Sequence, residues 1–377
     1  MRSRVAAIVL KEAREIVRDP IYLALAIVVP LVVMTLLALG FVLDVKHLPV
    51  AFVDQDRSSL SREYMYSFTN SEYFRLVRFA SDPADVDRLL QSGEVRAVVI
   101  VPPGFSRTLN AGRHATVQVL VDGSFASRAL VVTGYVAAVN GQFGARLLAE
   151  HLARQGAVAA AAVPVSVDGR VWFNPSLETK NSIVPGLLVI SLMFYPGLLA
   201  ALVVVREKER GTIFNLYCSP VARWEVIVGK AIPYIGLAFV DYCLLFAMSL
   251  FVFHVRFVGN VFVLTIAALL YIVCCVGLGL VISVACRTQV AAMLITFIAL
   301  MTPSILFSGM ITPVASMDRQ AQAISRLIPA SYFMGMARGV FLKGLGLSYY
   351  RGELLTLAAL AALVYGIAIL GFRKRSG

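Results

Sequence analysis

Long apolar runs recur along the sequence, separated by shorter polar segments. The first covers residues 21–43 and carries no charge, and the others cover residues 183–205, 226–253, 261–285, 290–310 and 354–372. A run of about 20 apolar residues is long enough to cross the hydrocarbon core of a bilayer as a helix. The pattern therefore predicts an α-helical polytopic membrane protein with six transmembrane helices.

Residues 1–20 have a different pattern, that of an amphipathic helix. Apolar side chains recur at intervals of three and four, and five Lys and Arg residues lie between them. This spacing predicts an N-terminal helix that lies in the membrane interface, on the cytoplasmic side. The apolar run that follows it is too long for the core of a signal peptide, which predicts an uncleaved anchor.

Residues 44–182 differ in composition from the rest of the chain, with 14 Lys/Arg and 13 Asp/Glu. Short β-rich segments at 48–53, 74–79, 96–101 and 116–121 alternate there with helical ones at 58–69 and 83–90. This alternation predicts an α+β domain inserted between spans 1 and 2. We expect a long helix at about 127–154 and a mobile alanine-rich loop at 156–163. The segment has no phosphate-binding loop and no metal-ligand spacing, so that neither a cofactor nor a metal site is expected in it.

Residues 311–353 are apolar, yet proline and glycine interrupt them too often for one continuous span. Irregular backbone at membrane depth is tolerated only where protein covers it. We therefore predict short re-entrant helices before span 6.

Basic residues are distributed unequally between the two sides of this layout. With both termini inside, the inner segments carry 14 Lys/Arg and the short outer segments carry 6. Positive charge favours the cytoplasmic side, which predicts cytoplasmic termini and an extracytoplasmic insert. The polar segment 206–225 is then cytoplasmic.

Composition agrees with this class of protein. The chain is 59% hydrophobic and 15% charged, with a mean hydropathy of +0.80. Its net charge of +12 is divided among small groups beside the apolar runs, which is typical of a protein facing anionic lipid and not of a nucleic-acid-binding protein. Its five cysteines include none in the large polar insert, and they indicate no disulfide or zinc framework.

The polar segment between spans 2 and 3 has its own pattern. Charges alternate in sign from Arg206 to Arg210, Gly211 interrupts the run, and Ser219-Pro220 ends a short apolar cluster at positions 213–217. This pattern predicts a short helix with one apolar face. Two interpretations remain open from the pattern alone: a helix lying flat on lipid, or a docking element for a soluble partner.

Two segments resemble type-2 ABC exporter permeases. The run 207–212 (EKERGT) and the following SPV at 219–221 are similar to the family's loop after the second span, where a separate ATPase subunit couples. A second match lies before the last span. The resemblance assigns ATPase coupling to Glu207, Glu209, Arg210, Gly211, Thr212, Phe214, Leu216, Ser219 and Pro220, and it marks Pro329, Tyr332, Phe333, Arg338 and Gly339 in the re-entrant segment.

The resemblance implies the membrane subunit of a bacterial exporter of drugs or other small amphipathic molecules, in the cell inner membrane. ATP and Mg²⁺ would bind a partner ATPase, because this sequence has no phosphate-binding loop, and the chain itself is not expected to be an enzyme. The implied partners are a cytoplasmic ABC ATPase, a second permease in a homo- or heterodimer, a periplasmic adaptor, and the lipid bilayer, with no nucleic acid.

Asp241 lies well inside a predicted span, where a charge costs roughly 2.5–3.5 kcal/mol on insertion scales. It is a candidate cation or proton site, or a polar point on the substrate path. The alternative is a structural carboxyl that hydrogen-bonds a neighbouring helix or is kept protonated by its surroundings. If it binds protons, the chain could be a secondary antiporter; a membrane-anchored receptor or scaffold for the insert is a further alternative. Gly277 and Gly279 in span 4 predict a close helix contact.

Overall fold

The structure is a computed structural model, and it describes residues 2–40, 47–80, 84–122, 126–154 and 178–372. The chain divides into two compact units. The membrane unit comprises Met1–Val42 and Val171–Gly377, and the insert comprises Leu43–Arg170.

The helices and strands follow in chain order. The chain begins with α1 (Arg2–Arg18) and α2 (Pro20–Gly40). The insert contains β1 (Leu48–Asp54), α3 (Ser59–Thr69), β2 (Phe74–Phe79), α4 (Ala84–Gln91), β3 (Ala97–Val101), α5 (Phe105–Asn110), β4 (Gln118–Val121) and α6 (Ala126–Arg154). The membrane unit continues with α7 (Lys180–Glu209), α8 (Ile213–Tyr217), α9 (Arg223–Phe251), α10 (Val261–Ala285), α11 (Gln289–Thr296), α12 (Thr302–Phe307), α13 (Arg319–Ser325), α14 (Pro329–Arg338) and α15 (Arg351–Gly371).

Six helices of the described residues are long and apolar enough to cross a membrane, as the hydropathy pattern predicted. They are α2, α7, α9, α10, α15 and the segment Gln289–Phe307, in which a π-helical turn (Phe297–Met301) joins α11 to α12. The ends differ from the predicted ones chiefly in α7, which continues four residues past position 205, to Glu209. The four added residues, Arg206–Glu209, are all charged, and each of them contacts a partner in another helix.

Span α7 lies at the centre of the membrane unit, and most of its residues are buried. It packs most closely against α10. A Cβ added at Gly279 would overlap the carbonyl oxygen of Gly197, so that only glycine allows these backbones to meet. A Cβ at Gly277 would lie 2.8 Å from the ring of Tyr365 in α15. The close contact predicted at Gly277 and Gly279 is confirmed, and it joins α10 to two different helices.

The N-terminal helix α1 is amphipathic and packs against α9. Its Ile8 and Ile16 are buried, while Leu10 and Val17 are exposed. A Cβ at Gly229 of α9 would lie 2.9 Å from the Cβ of Ile8, which shows how closely the two helices approach. The interfacial position of α1 in a membrane stays a prediction.

The segment before the last span consists of short helices. After the 3₁₀ turn Val314–Ser316 come α13, α14 and a π-helical turn at Gly339–Lys343. A Cβ at Gly339 would overlap the hydroxyl oxygen of Tyr350, so that any larger residue there would have to displace the Tyr350 side chain. The broken helical backbone agrees with the proline and glycine pattern, and the re-entrant placement stays a prediction.

The insert is built on a four-stranded sheet in the order β2-β1-β3-β4. Strand β1 pairs in parallel with β2 and β3, and β4 runs antiparallel to β3. Alternate residues of β1 contribute to two cores, one shared with α3, α5 and α6 and the other with α4. The predicted alternation of strands and helices is present, although α5 was not predicted. The alanine-rich stretch 156–163 lies outside the described residues.

Candidate functional site: the loop between spans 2 and 3

The chain leaves α7 through a left-handed glycine. Arg210 caps the helix, and Gly211 follows with φ of +72°, a conformation that glycine adopts without strain. Helix α8 then occupies only Ile213–Tyr217, and α9 begins at Arg223 after the turn at Ser219-Pro220. The loop 210–222 is therefore shorter than the predicted segment 206–225.

The charges of Arg206 and Lys208 contact two other helices. The guanidinium of Arg206 lies 5.0 Å from the ring centroid of Tyr22 in α2. The Lys208 ammonium donates to the carbonyls of Ser283 (3.1 Å), Val284 and Cys286 (2.9 Å) at the end of α10. It thereby satisfies carbonyls that have no partner within their own helix.

Glu209 contacts the beginning of α11. Its carboxylate accepts a hydrogen bond from the backbone N–H of Gln289 at 2.7 Å, and another from the Gln289 side-chain amide. A carboxylate at a helix N-terminus is favourable because the orphan N–H groups point towards it. Among the residues assigned to ATPase coupling, Glu209 thus has an intramolecular role in joining α7 to α11.

Glu207 belongs to a buried ion cluster that joins α1, α7 and α9. Its Oε1 lies 3.0 Å from Lys230 Nζ and 2.7 Å from Lys11 Nζ, and Lys230 Nζ lies 2.5 Å from Glu12 Oε1. The side chain of Lys230 is only 1% exposed, and those of Glu12 and Glu207 are 5% and 10% exposed. Each buried charge therefore has an opposite charge in contact with it.

Lys11 lies at the exposed edge of this cluster. Partial burial acts to lower the pKa of Lys11, but the hydrogen bond and the charge of Glu207, with Glu12 and Glu15 nearby, outweigh burial and raise it above its ordinary value of 10.5. The ammonium therefore stays charged at neutral pH and holds α1 against α7.

The side chains of α8 and its flanks divide between the protein interior and the surface. Ile213 is 4% exposed and Leu216 packs partly buried against the membrane-unit core, whereas Phe214 is 65% exposed. Arg210, Gly211 and Thr212 are exposed, as is Pro220, whose carbonyl accepts a hydrogen bond from Arg4 of α1 at 2.8 Å; Ser219 is half-buried. The side chain of Tyr217 lies outside the described residues. The apolar residues of α8 therefore do not form the single predicted face. Ile213 and Leu216 point towards the core, and Phe214 points outwards.

A cleft of about 560 Å³ lies between α1, the end of α7 and the loop 210–222. Its walls carry both signs of charge, with Glu12, Glu15 and Glu207 opposed by Arg4, Lys11, Arg206 and Arg210. A cleft of this kind suits a polar peptide segment better than an apolar small molecule.

The residues marked before the last span form a second cluster, around Arg338. The buried guanidinium donates to three backbone carbonyls, those of Ser182 (3.2 Å), Gly309 (2.7 Å) and Met310 (2.9 Å). Arg338 therefore joins α14 to the beginning of α7 and to the chain that follows α12. Of the other marked residues, Pro329 opens α14, Phe333 stacks on Tyr271 at 4.6 Å, Tyr332 donates to the Arg326 carbonyl at 2.8 Å, and Gly339 contacts Tyr350.

Asp241 lies within α9 and is 2% exposed. Neither of its carboxylate oxygens has a hydrogen-bond partner among the described residues. Its neighbour Tyr242 contacts Thr265 of α10 at 3.1 Å between the two hydroxyl oxygens. The structure thus favours neither a hydrogen bond to a neighbouring helix nor a direct ion pair for this carboxyl.

Sequence reasoning missed Lys230, Glu12 and Lys208 as structural residues. A signal existed for Glu12, because it lies on the apolar face of α1, in register with Ile8 and Ile16. No cluster of three or more His, Cys, Asp or Glu side chains that could hold a metal occurs in the described ranges.

Six apolar helices, a folded insert between the first two, and a short, partly exposed helix between the second and third are the features of a multi-pass helical membrane protein. Residues 20–370 match the family described as ABC-2 family transporter protein, and the chain belongs to that family. It is a type-2 ABC transporter permease, and the resemblance found in the sequence is confirmed.

The chain is similar to named proteins of Escherichia coli K12 over most of its length. It is 31% identical to "Probable multidrug ABC transporter permease YbhS", over 99% of this chain and 97% of the relative. It is 26% identical to "Probable multidrug ABC transporter permease YbhR", over 100% of both chains. It is 26% identical to "Inner membrane transport permease YhhJ", over 87% of this chain and 86% of the relative.

Proposed function

We propose that this permease is the membrane subunit of an exporter of drugs or other small amphipathic molecules, driven by ATP that a separate cytoplasmic subunit hydrolyses. Relatives whose names include "multidrug ABC transporter permease" support this cargo class. The ATPase docks on the loop 210–222. A second permease subunit completes the transporter, and a periplasmic adaptor receives the cargo.

The observation that carries the proposal is the exposed Phe214 on a helix whose other side packs against the core of the membrane unit. Ile213 and Leu216 pack α8 against the membrane unit, while Phe214 is 65% exposed. A movement imposed on Phe214 therefore acts on α8 and, through Gly211, on the end of α7. The ion pair of Glu207 with Lys230 and the hydrogen bonds of Lys208 and Glu209 transmit that movement to α9, α10 and α11.

The first experiment measures how much ATPase co-purifies with the permease from its native membrane, identified by mass spectrometry. Burying a large apolar side chain contributes about 1.5–3 kcal/mol. We therefore expect Phe214→Ala to weaken ATPase association by roughly tenfold or more, since each 1.4 kcal/mol is a factor of ten. The native membrane supplies the partner at its natural abundance, whichever ATPase that partner is.

Phe262→Ala is the matched control, because Phe262 is 78% exposed and lies at the beginning of α10. The whole length of α9 separates it in sequence from the loop 210–222. It should leave ATPase recovery unchanged. Equal recovery of ATPase with native protein, Phe214→Ala and Phe262→Ala would contradict docking at this helix.

The proposed orientation places both termini and the loop 210–222 in the cytoplasm of a cell with the permease in its inner membrane, and the insert outside. Cys218 is a native exposed thiol in the loop, and Arg113 is an exposed position in the insert. An impermeant maleimide on intact spheroplasts should label Arg113→Cys in a cysteine-free background. A variant that retains Cys218 as its only cysteine should be labelled only after the spheroplasts are permeabilised. The reverse pattern would contradict the orientation.

Asp241 is buried and has no hydrogen-bond partner among the residues that the structure describes, which supports a second candidate, a cation- or proton-coupled antiporter. In that case Asp241→Asn should abolish transport and its dependence on pH, and transport should continue without any ATPase. Transport that requires the ATPase and persists in Asp241→Asn would exclude this candidate.

A further inference from the structure

The insert contains a pocket of about 430 Å³ between α3 and the β1–β2 edge of its sheet. Small-molecule sites in proteins have volumes of about 300–1,000 Å³ and mostly apolar walls. Buried Phe52 and Met65 line this pocket, together with two aromatic residues of the rim, Tyr66 and Phe79, which are 63% and 59% exposed. The size and the lining suit a small molecule with an apolar body.

The pocket has a net positive charge, from two arginines and one aspartate. Arg57 and Arg62 both line it, and neither guanidinium forms a hydrogen bond or ion pair in the part of the chain that the structure describes. Asp54 also lines it and keeps its negative charge, but both of its oxygens accept hydrogen bonds from the protein. Its Oδ1 accepts from the backbone N–H groups of Asp56 (3.1 Å) and Arg57 (2.9 Å), and its Oδ2 accepts from the Ser61 hydroxyl (2.8 Å).

The backbone at Arg57 is unusual for an arginine. Its φ is +50°, in the left-handed region that glycine adopts more readily than a residue with a Cβ. The hydrogen bond from Arg57 N–H to Asp54 holds this conformation and brings the arginine to the pocket. If only stability mattered, glycine would be favoured at this position. We therefore attribute the arginine to a role of its guanidinium group.

We propose that this pocket binds a small organic anion with an apolar body. Its carboxylate, sulfonate or phosphate lies between Arg57 and Arg62, and its body lies against Phe52, Met65 and Phe79. The pocket belongs wholly to the insert, and binding there requires no ATPase. A free organic acid and an anionic lipid both offer this chemistry.

The test uses the full chain in nanodiscs of phosphatidylcholine, titrated calorimetrically with naphthalene-2-sulfonate against empty nanodiscs. One saturable site is expected. Naphthalene-2-sulfonamide has the same ring system without the charge, and it should bind roughly tenfold more weakly, because charge-assisted hydrogen bonds to the arginines are lost.

Two variants locate the site. Arg57→Gly and Arg62→Gln should each weaken binding by about fivefold, as expected for a partly exposed ion pair. Arg57→Gly should also unfold at a temperature no lower than the native protein, because it relieves the left-handed backbone. Arg113→Gln removes the same charge from an exposed arginine of the insert outside the pocket, and it should leave binding unchanged.

Replacing part of the phosphatidylcholine by phosphatidylglycerol distinguishes the two sources of the anion. Weaker sulfonate binding in those nanodiscs supports the site and identifies lipid as its occupant. Unchanged binding supports the site with a soluble occupant. The proposal is overturned if the native protein shows no saturable site, if the sulfonamide binds equally well, or if the folded Arg57→Gly, Arg62→Gln double variant binds with native affinity.

Discussion

The membrane unit buries several acidic side chains, and two of their sites have completely different surroundings. Glu12 and Glu207 lie against Lys230, at 2.5 and 3.0 Å, and Lys11 contacts Glu207 at 2.7 Å. Asp241 is equally buried, further along the helix that carries Lys230, and neither of its oxygens has a hydrogen-bond partner among the described residues. The first site joins three helices, whereas the second joins none.

This difference separates a structural role from a functional one. A buried ion pair contributes little relative to an apolar replacement, but removing one partner leaves an uncompensated charge and is strongly destabilising. A buried polar group without a partner already destabilises the fold. The cluster around Lys230 therefore has a structural role, since it joins three helices. Asp241 makes no such contact with the described residues, so that a structural role does not explain its presence.

The largest expected effect is that of Lys230→Met. Loss of the ammonium leaves Glu12 and Glu207 buried with only the half-exposed Lys11 nearby. We expect the free energy of unfolding to fall by about 3–5 kcal/mol. Denaturant unfolding of the purified protein measures this change.

Lys343→Met is the control for Lys230→Met, because it removes the same charge from an exposed position. It should change stability little. Equal stabilities of the two variants would show that the cluster does not hold α1, α7 and α9 together.

Asp241→Leu should act in the opposite direction. Removing an unpartnered buried carboxyl avoids a desolvation penalty of about 1–3 kcal/mol, so that the free energy of unfolding should rise by up to that amount. Export measured on the same variant should fall if the carboxyl lies on the cargo path. A variant that is destabilised as strongly as Lys230→Met would mean that Asp241 has a structural partner after all.

Lys11→Met should have the smallest effect on stability. The Lys11 side chain is 49% exposed, so that solvent screens its ion pairs and the loss should stay below about 1 kcal/mol. The pKa of Lys11 is raised in the folded protein, so its contribution is present below its ordinary pKa of 10.5 and is lost as the pH rises through the folded value. The stability difference between native protein and variant should therefore stay constant from neutral pH to about pH 9, and disappear only in more alkaline solution. A difference that is absent at neutral pH would contradict this pairing.

Much of the fold could be predicted from the sequence because each apolar run is local. Span α10 was predicted with its observed bounds, Val261–Ala285, and the four strands of the insert fall within three residues of the predicted ones. The end of α7 was missed, because hydropathy marks where apolar residues stop and not where a helix does. Arg206–Glu209 continue the helix through partners that lie far away in sequence.

The site was predicted less completely, for the same reason. The motif could be found in sequence, but the sequence did not predict which of its apolar side chains is exposed. The contact between Glu12 and Lys230 joins residues 218 positions apart and follows only from packing. The family resemblance assigned Glu207, Glu209 and Arg210 together to ATPase coupling. The structure instead directs Arg206, Glu207, Lys208 and Glu209 to separate intramolecular partners, and leaves Arg210 exposed.

The most direct test of the central claim is crosslinking from position 214 in the native membrane. A photoreactive p-benzoyl-phenylalanine in place of Phe214 should form, on illumination, an adduct that mass spectrometry identifies as an ATPase polypeptide. The same amino acid in place of the exposed Phe262 should form none. Lipid adducts alone at position 214, or ATPase adducts at both positions, would contradict docking of an ATPase on this helix.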